Sequence, residues 1–359
     1  MKCKAAFDAQ HILQAIRELE PGKVNIMEVC GTHTMAIAKS GIRSMLSENV
    51  RLLSGPGCPV CVTPAEMIDA VLCLSENKNI IIATYGDMLR VPGSRPGDNL
   101  ARRRALGARV EIVYSPMDAL EIAERETDSE VVFLGVGFET TTPGTAAAVL
   151  EASERGIQNF SVLPMLKTVE PALRALIADP EFNVDAFLCP GHVATIIGEE
   201  GFRFLAEEFG IPAVIAGFEP EDILLSVYML LRQLKDGRSA VENSYKCAVK
   251  PEGNPLARAM TERVFEPHAE MWRGLGAIPA SGLKLRKEFA HYDAAEKFAV
   301  RYTQAEKKTA CRCGDVIRGK MAPETCPLFG GACTPEEPVG PCMVSSEGAC
   351  AAAYKYRGF

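Results

Sequence analysis

Over the first two-thirds of the chain, short apolar runs alternate with longer segments in which apolar side chains recur at three- and four-residue spacing. The short runs, rich in Val and Ile, predict buried parallel strands, and the longer segments predict the helices that connect them. PAEMIDAVLCLSEN and GTAAAVLEASERG are two such helical segments. The predicted strands are 24–29, 51–54, 79–84, 109–114, 131–136, 160–165, 184–189 and 211–216.

The last four predicted strands follow the first four at a nearly constant spacing. This pattern indicates an α/β protein with two similar, Rossmann-like domains, each built on a parallel four-stranded sheet. We expect the first domain at 24–128 and the second at 129–217. The remaining residues, 1–23 and 218–359, are expected to form a discontinuous and mainly helical domain, in which the N-terminal helix packs against later helices.

Size and charge narrow the classes of protein to which the chain can belong. A chain of 359 residues suits two or three domains. Its Lys and Arg residues total 39 against 46 Asp and Glu, and the basic residues form no cluster, so we expect no nucleic-acid binding. No apolar run is long enough to span a bilayer, and the first residues lack the pattern of a signal peptide. These features predict a cytoplasmic protein without a membrane segment.

Side chains suited to catalysis or metal binding lie directly after several predicted strands. They are Cys30, His33, Cys58, Cys61, Glu139 and His192. Because ligands of open parallel sheets bind where the strands end, we expect these side chains to line a cleft between the two α/β domains.

The individual motifs leave alternatives open. Cys58 and Cys61 form a Cys-x-x-Cys motif where a strand leads into a helix, which favours a reversible dithiol over metal ligation or simple packing. Cys30 and His33 combine a thiolate with an imidazole, a ligand pair suited to iron, copper or zinc, and the alternative is a small buried thiol before a helix. His192 is either a proton carrier or hydrogen-bond donor, or a structural residue.

Six cysteines crowd into the last part of the chain, at Cys311, Cys313, Cys326, Cys333, Cys342 and Cys350. Their wide spacing, the Cys-Pro step and the surrounding glycines favour a 4Fe–4S cluster, because zinc ribbons usually carry two close Cys-x-x-Cys pairs. A zinc site is the alternative. The preferred cluster ligands are Cys313, Cys326, Cys333 and Cys350, with Cys311 and Cys342 as alternates.

The motifs EVCGTHT, GPGCPVC, GFETTTP and PGHV, followed by the tail CPLFGGACTPEEPVGPCMVSSEGACAAAYKY, resemble the HypD family of nickel–iron hydrogenase maturation proteins. The resemblance covers essentially the whole chain, with the motifs in order. It implies two similar α/β domains and a cluster-bearing third domain. It also implies a scaffold for assembling an iron with two cyanides and one carbon monoxide, which works with the small chaperone HypC and accepts cyanide from HypE. On its own the chain is expected to be monomeric.

The same resemblance implies roles for individual residues. Cys30 is expected to bind the mononuclear iron together with a cysteine of the chaperone, and Cys58 and Cys61 to be redox-active thiols beside a 4Fe–4S tail. Taking cyanide from a thiocyanate carrier requires reductive cleavage, so a relay of electrons from the cluster to the dithiol is a further hypothesis.

Three other classes of protein compete with this interpretation. An iron–sulfur-dependent thiol-disulfide reductase would act on a protein disulfide without any mononuclear iron. A nucleotide-dependent α/β enzyme is disfavoured because neither GxGxxG nor GxxxxGK[ST] follows a predicted strand. A structural zinc protein would be colourless.

Overall fold

The computed structural model describes residues 8–20, 22–95, 97–302 and 310–356. Its strands are β1 (Val24–Glu28), β2 (Val50–Ser54), β3 (Ile80–Thr84), β4 (Arg109–Ile112), β5 (Glu130–Gly137), β6 (Phe160–Leu166), β7 (Ala186–Pro190), β8 (Ala213–Ala216), β9 (Val241–Asn243), β10 (Phe265–Trp272) and β11 (Gly276–Leu285).

The helices connect these strands and cover the sheets. They are α1 (Ala9–Glu18), α2 (Gly31–Lys39), α3 (Ile42–Met45), α4 (Pro59–Val62), α5 (Ala65–Leu74), α6 (Leu100–Ala105), α7 (Pro116–Arg125), α8 (Thr142–Arg155), α9 (Val169–Ile177), α10 (Gly191–Ile197), α11 (Arg203–Glu207), α12 (Pro220–Lys235), α13 (Pro255–Val264), α14 (Ala294–Lys297), α15 (Cys313–Ile317) and α16 (Ala349–Lys355). Short 3₁₀ helices cover Gly86–Arg90, Glu200–Phe202, Lys287–Tyr292, Pro323–Thr325 and Pro341–Met343.

Two parallel sheets form the centre of the fold. The five-stranded sheet has the order β2-β1-β7-β8-β9, and the four-stranded sheet has the order β4-β3-β5-β6. Numbered within each sheet by their order along the chain, the strands of both sheets begin with the order 2-1-3-4. This is a doubly wound topology, and its switch point lies between the first and third strands. The predicted α/β class with two Rossmann-like sheets is therefore confirmed, and β9 adds a fifth strand to one of them.

All eight predicted strands occur, but they are divided between the sheets differently from the prediction. The segment 24–128 contributes β1 and β2 to the five-stranded sheet and β3 and β4 to the four-stranded sheet. The segment 129–217 is divided in the same way, so the four-stranded sheet is an insertion between β2 and β7. Strands buried on both faces are apolar throughout, and this pattern locates a strand without identifying its neighbour.

The predicted packing of the N-terminal helix against a later helix is confirmed, although residues 1–7 lie outside the described residues. Ile12 and Ile16 of α1 belong to the same buried cluster as Ile223 and Leu230 of α12. That cluster also contains Ile26 of β1. Helices α1 and α12 therefore cover the five-stranded sheet, and this part of the expected third domain belongs to the first sheet.

The antiparallel hairpin β10–β11 departs from the expectation of a mainly helical third domain. Pro267 and Pro279 and the glycines of β11 interrupt its alternation of polar and apolar residues, which hides the strands from a pattern search. The hairpin packs on the four-stranded sheet, where Thr168 donates a backbone hydrogen bond of 3.0 Å to the carbonyl of Ser281. None of the helices in the described part of the chain is long and apolar enough to cross a membrane.

Candidate functional site

Cys30 lies at the switch point of the five-stranded sheet. It directly follows β1 and is the N-cap residue of α2, with an extended backbone (φ −149°, ψ 124°). The neighbouring strand β7 ends at Pro190, where Gly191 and His192 begin α10. This is the position at which open parallel sheets bind ligands, and here it brings Cys30 and His192 to the same end of the sheet.

A buried carboxyl group supports the backbone of Cys30. The amide of Cys30 donates a hydrogen bond of 3.2 Å to Glu28 Oε2, and Thr34 Oγ1 donates one of 2.5 Å to Glu28 Oε1. Burial raises the pKa of Glu28 to about 7 and the pKa of Cys30 to about 12. In the absence of a metal Cys30 is therefore a thiol, and binding a metal ion would release its proton.

Two glycines allow other parts of the chain to approach Cys30 closely. A Cβ atom on Gly57 would lie 2.2 Å from the backbone nitrogen of Cys30, so only glycine fits there. A Cβ atom on Gly31 would lie 2.5 Å from Cβ of Glu347, which is a residue of the cysteine-rich tail. Thr32 Oγ1 donates a hydrogen bond of 2.8 Å to Glu347 Oε1. The GPGCPVC loop and the tail therefore both touch the Cys30 segment.

His33 and His192 both stack on the ring of Phe218, with centroid distances of 4.7 Å and 3.9 Å. His33 Nε2 donates a hydrogen bond of 2.9 Å to the carbonyl of Gly217, and burial lowers the pKa of His33 to about 4. His33 is therefore neutral at physiological pH, and its Nδ1 is buried without a partner among the described residues. His192 is exposed, so it is the imidazole of the pair that solvent or another molecule can reach.

Cys58 and Cys61 are joined by a disulfide, with their Cα atoms 5.2 Å apart. Both residues are buried, at 5% and 2% exposure, and the amide of Cys61 donates a hydrogen bond of 3.2 Å to Cys58 Sγ. Their helix, α4, packs between β5 and the 3₁₀ helix Pro341–Met343 of the tail. The disulfide therefore lies between the four-stranded sheet and the tail.

All six tail cysteines line one small, largely apolar pocket, together with Phe329, Gly340 and Met343. Cys313, Cys333, Cys342 and Cys350 are buried, and the amide of Val339 donates a hydrogen bond of 3.3 Å to Cys333 Sγ. In the described ranges, no group of three or more His, Cys, Asp or Glu side chains is arranged around a single metal ion. The buried sulfurs, the apolar lining and the N–H donor to one sulfur are features that would suit a cluster held by thiolates.

Glu139 is separated from Cys30, because it follows β5 in the four-stranded sheet. Its Oε1 accepts a hydrogen bond of 2.8 Å from the amide of Val169, at the start of α9. Its Oε2 is buried without a partner in the described part of the chain, and burial raises the pKa of Glu139 to about 7. The structure thus brings Cys30, His33 and His192 together and places Glu139 at the end of the other sheet.

Two residues of the Cys30 site were missed in the sequence. Phe218 follows β8 in the segment Gly-Phe-Glu-Pro, and its position after a strand was the available signal. Glu347 stands between Ser346 and Gly348 in the tail, and nothing local in the sequence connects it with Gly31.

Comparisons with known proteins agree on a single family. A family model described as "HypD: Hydrogenase formation hypA family" matches residues 8–357. The chain is 47% identical over 361 residues to the hydrogenase maturation factor HypD of Cupriavidus necator, covering 98% of this chain and 95% of that protein. It is 46% identical over 340 residues to HypD of Rhodobacter capsulatus, covering 93% and 90%. It is 45% identical over 335 residues to HypD of Escherichia coli K12, covering 93% and 89%.

Proposed function

The chain belongs to the HypD family of hydrogenase formation proteins, and from that premise we propose that it serves hydrogenase maturation as an assembly scaffold. Its cargo is an iron that receives two cyanides and one carbon monoxide. The observation that carries this proposal is that three thiol sites are in contact. Gly57, which precedes Cys58, packs on Cys30. Helix α4, which contains Cys61, packs on the tail segment that contains Cys342. One site suits iron binding, one suits thiol chemistry and one suits a cluster.

Cys30 is the proposed ligand of the cargo iron. A thiolate is a soft donor that keeps iron electron-rich, and such iron binds cyanide and carbon monoxide well. The thiol proton that leaves on binding has nearby acceptors, because Glu28 and Glu347 both lie close enough to raise the pKa of Cys30 further, after burial. A cysteine of a HypC-type chaperone is the proposed second thiolate.

The tail pocket is the proposed site of a 4Fe–4S cluster. Its ligands would be Cys313, Cys326, Cys333 and Cys350, with Cys311 and Cys342 as alternates. When bound, this group supplies single electrons. The chain itself contributes an apolar lining through Phe329 and Met343, which excludes water, and the Val339 amide, which donates a hydrogen bond to sulfur.

The Cys58–Cys61 pair is the proposed thiol reagent for accepting cyanide from a HypE-type donor. Opening the disulfide takes up two electrons and two protons and yields two thiols. One thiolate can then attack the sulfur of a thiocyanate group, so that a mixed disulfide forms with the carrier, the sulfur–carbon bond breaks and cyanide leaves next to Cys30. The second thiol displaces the carrier thiolate and re-forms the Cys58–Cys61 disulfide, which uses the two electrons taken up. The contact between α4 and the tail supports a role for this pair as the electron acceptor.

Anaerobic co-purification with a HypC-type chaperone, followed by infrared spectroscopy, tests the proposal. The wild-type complex is expected to show cyanide and carbonyl bands. Cys30→Ala should remove these bands and leave the iron and sulfide content of the tail unchanged, whereas Cys73→Ala, a change at an exposed cysteine, should alter neither. Cys30→Ser should restore little of the cyanide and carbonyl band intensity, because oxygen is a harder donor than sulfur.

Bands of normal intensity in Cys30→Ala would contradict the assignment of Cys30. A wild-type protein that reduces protein disulfides but never holds mononuclear iron would instead support an iron–sulfur-dependent thiol-disulfide reductase.

A further inference from the structure

The tip of the β10–β11 hairpin reaches between the disulfide helix and the cysteine pocket. Arg273 directly follows β10, and its amide donates a hydrogen bond of 2.8 Å to the carbonyl of Val62 in α4. The next residue, Gly274, lies against the tail, since a Cβ atom on it would be 2.6 Å from Cα of Gly314, the residue after Cys313. Arg273 thus lies between the two thiol sites.

The side chain of Arg273 is anchored on the helix that carries the disulfide. Its Nε donates a hydrogen bond of 2.9 Å to the carbonyl of Thr63. Thr63 is the C-cap residue of α4, so the backbone and the side chain of Arg273 both bind carbonyls at the end of this helix. A cation at a helix C-terminus also interacts favourably with the helix dipole.

One nitrogen of the Arg273 guanidinium is left without an acceptor in the described part of the chain. Arg273 Nη2 is buried and has no hydrogen-bond partner among the described residues. A buried N–H group without an acceptor costs about 1–3 kcal/mol, so an acceptor is expected there. Because Gly274, the residue after Arg273, lies against Gly314 beside Cys313, the sulfur atoms of the tail pocket are the candidate acceptors for Nη2.

We propose that Arg273 is a positioning residue for electron exchange between the two thiol sites: it holds α4 by the Thr63 carbonyl and donates its remaining buried N–H to a sulfur of the iron–sulfur group. The inference rests on the proposed function only in assuming that this group is present. A positive charge and an N–H donor next to the sulfurs stabilise the reduced, more negative state, and this raises the reduction potential.

An electron paramagnetic resonance titration of the purified holoprotein measures this potential. Arg273→Gln should lower the reduction potential by about 59 mV, which for a one-electron couple is a tenfold shift in the ratio of oxidised to reduced protein. The matched control is Arg286→Gln, because Arg286 makes the same pair of bonds to the end of α13, through its amide to Val264 (2.9 Å) and its Nε to Glu262 (2.7 Å). Arg286 lies at the base of the hairpin, roughly 20 Å from the tip, and its variant should keep the wild-type potential.

A wild-type potential in Arg273→Gln would overturn the inference while leaving the proposed function intact. Wild-type protein without iron and sulfide would overturn the cluster assignment and the inference together, so the two failures are distinguishable. If Arg273→Gln does not fold, Arg273→Lys decides, because it keeps a charge but lacks the planar donor group. It should give an intermediate potential, and a wild-type value would again count against the inference.

Discussion

The close approach of the tail to Cys30 depends on the missing side chain of Gly31. We expect Gly31→Ala to push Glu347 away, because the new methyl group would lie 2.5 Å from Cβ and 3.0 Å from the backbone oxygen of Glu347. The cost should be about 1–3 kcal/mol of unfolding free energy, as for other overpacked sites. Denaturant unfolding measures this cost, and infrared spectroscopy of the chaperone complex should show weaker cyanide and carbonyl bands.

Gly144→Ala is the matched control for this change. Gly144 lies in the first turn of α8, and a Cβ atom there would have no neighbour closer than 3.9 Å. Alanine should raise the unfolding free energy by about 0.5–1 kcal/mol, because it restricts the unfolded chain. A Gly31→Ala protein as stable as wild type would show that the tail does not hold its contact with Gly31 in solution.

The buried carboxyl group of Glu139 predicts a pH dependence of stability. Burial raises the pKa of Glu139 from 4.5 to about 7, so the folded state retains a proton that the unfolded state loses between these values. Its contribution to stability is present below pH 4.5 and is lost as the pH rises through 7, by roughly 3 kcal/mol at most. Glu139→Gln should remove this loss, while its amide oxygen can still accept the hydrogen bond from Val169.

Urea unfolding of both proteins between pH 4.5 and pH 8 measures the difference. Glu170→Gln is the control, since Glu170 lies in α9, the helix whose Val169 amide binds Glu139, and has a half-exposed side chain paired to Arg174 at 3.0 Å. Such a pair contributes little to stability. Parallel stability curves for wild type and Glu139→Gln would show that Glu139 is ionised throughout this range.

Among the larger elements, the tail offers more thiols than one cluster needs. Alanine substitution at Cys326 or Cys333 should abolish the iron and sulfide content of the protein, because each is a preferred ligand in a segment without a close substitute. Cys313→Ala should lower the iron and sulfide content more than Cys311→Ala does, and Cys350→Ala should lower it more than Cys342→Ala does. Iron and sulfide assays of the six single variants check this order.

The opposite order in either pair would identify the alternate cysteine as the ligand. Full content in Cys333→Ala would contradict the cluster assignment itself. Cys189→Ala is a suitable control, because Cys189 is buried in β7 and does not line the tail pocket.

The strands and the tail differ in how far sequence could predict them. Runs such as 131–136 and 160–165 were located correctly because a buried parallel strand is apolar at every position. The division of the eight strands between two sheets was not predicted, since β1 lies beside β7 through pairs such as Ile26 with Ala186, which only the folded chain brings together. The candidate cysteines were visible as residue types, whereas Phe218, Glu347 and Arg273 act through long-range contacts that leave no local pattern.

The two sheets are joined at their carboxyl ends by the tail. Ser345 Oγ donates a hydrogen bond of 2.7 Å to Asp87, at the end of β3 in the four-stranded sheet. Two residues later, Glu347 accepts the hydrogen bond from Thr32, in α2 of the five-stranded sheet. A segment of three residues therefore bridges the two switch points, and a change at one of them is expected to reach the other.

Hydrogen exchange can detect this coupling in the Ser345→Ala variant. A hydrogen bond to a charged group contributes about 1.5–3 kcal/mol, so its loss should speed exchange in residues 86–90 about tenfold or more. If the tail is one rigid bridge, exchange should also rise in Gly31–Lys39, to which Ser345 makes no hydrogen bond among the described residues, and α8 should stay unchanged. Thr325→Val, which removes only a local bond of 2.8 Å to Ala322 elsewhere in the tail, is the control. Faster exchange confined to residues 86–90 would mean that the tail contacts the two sheets independently.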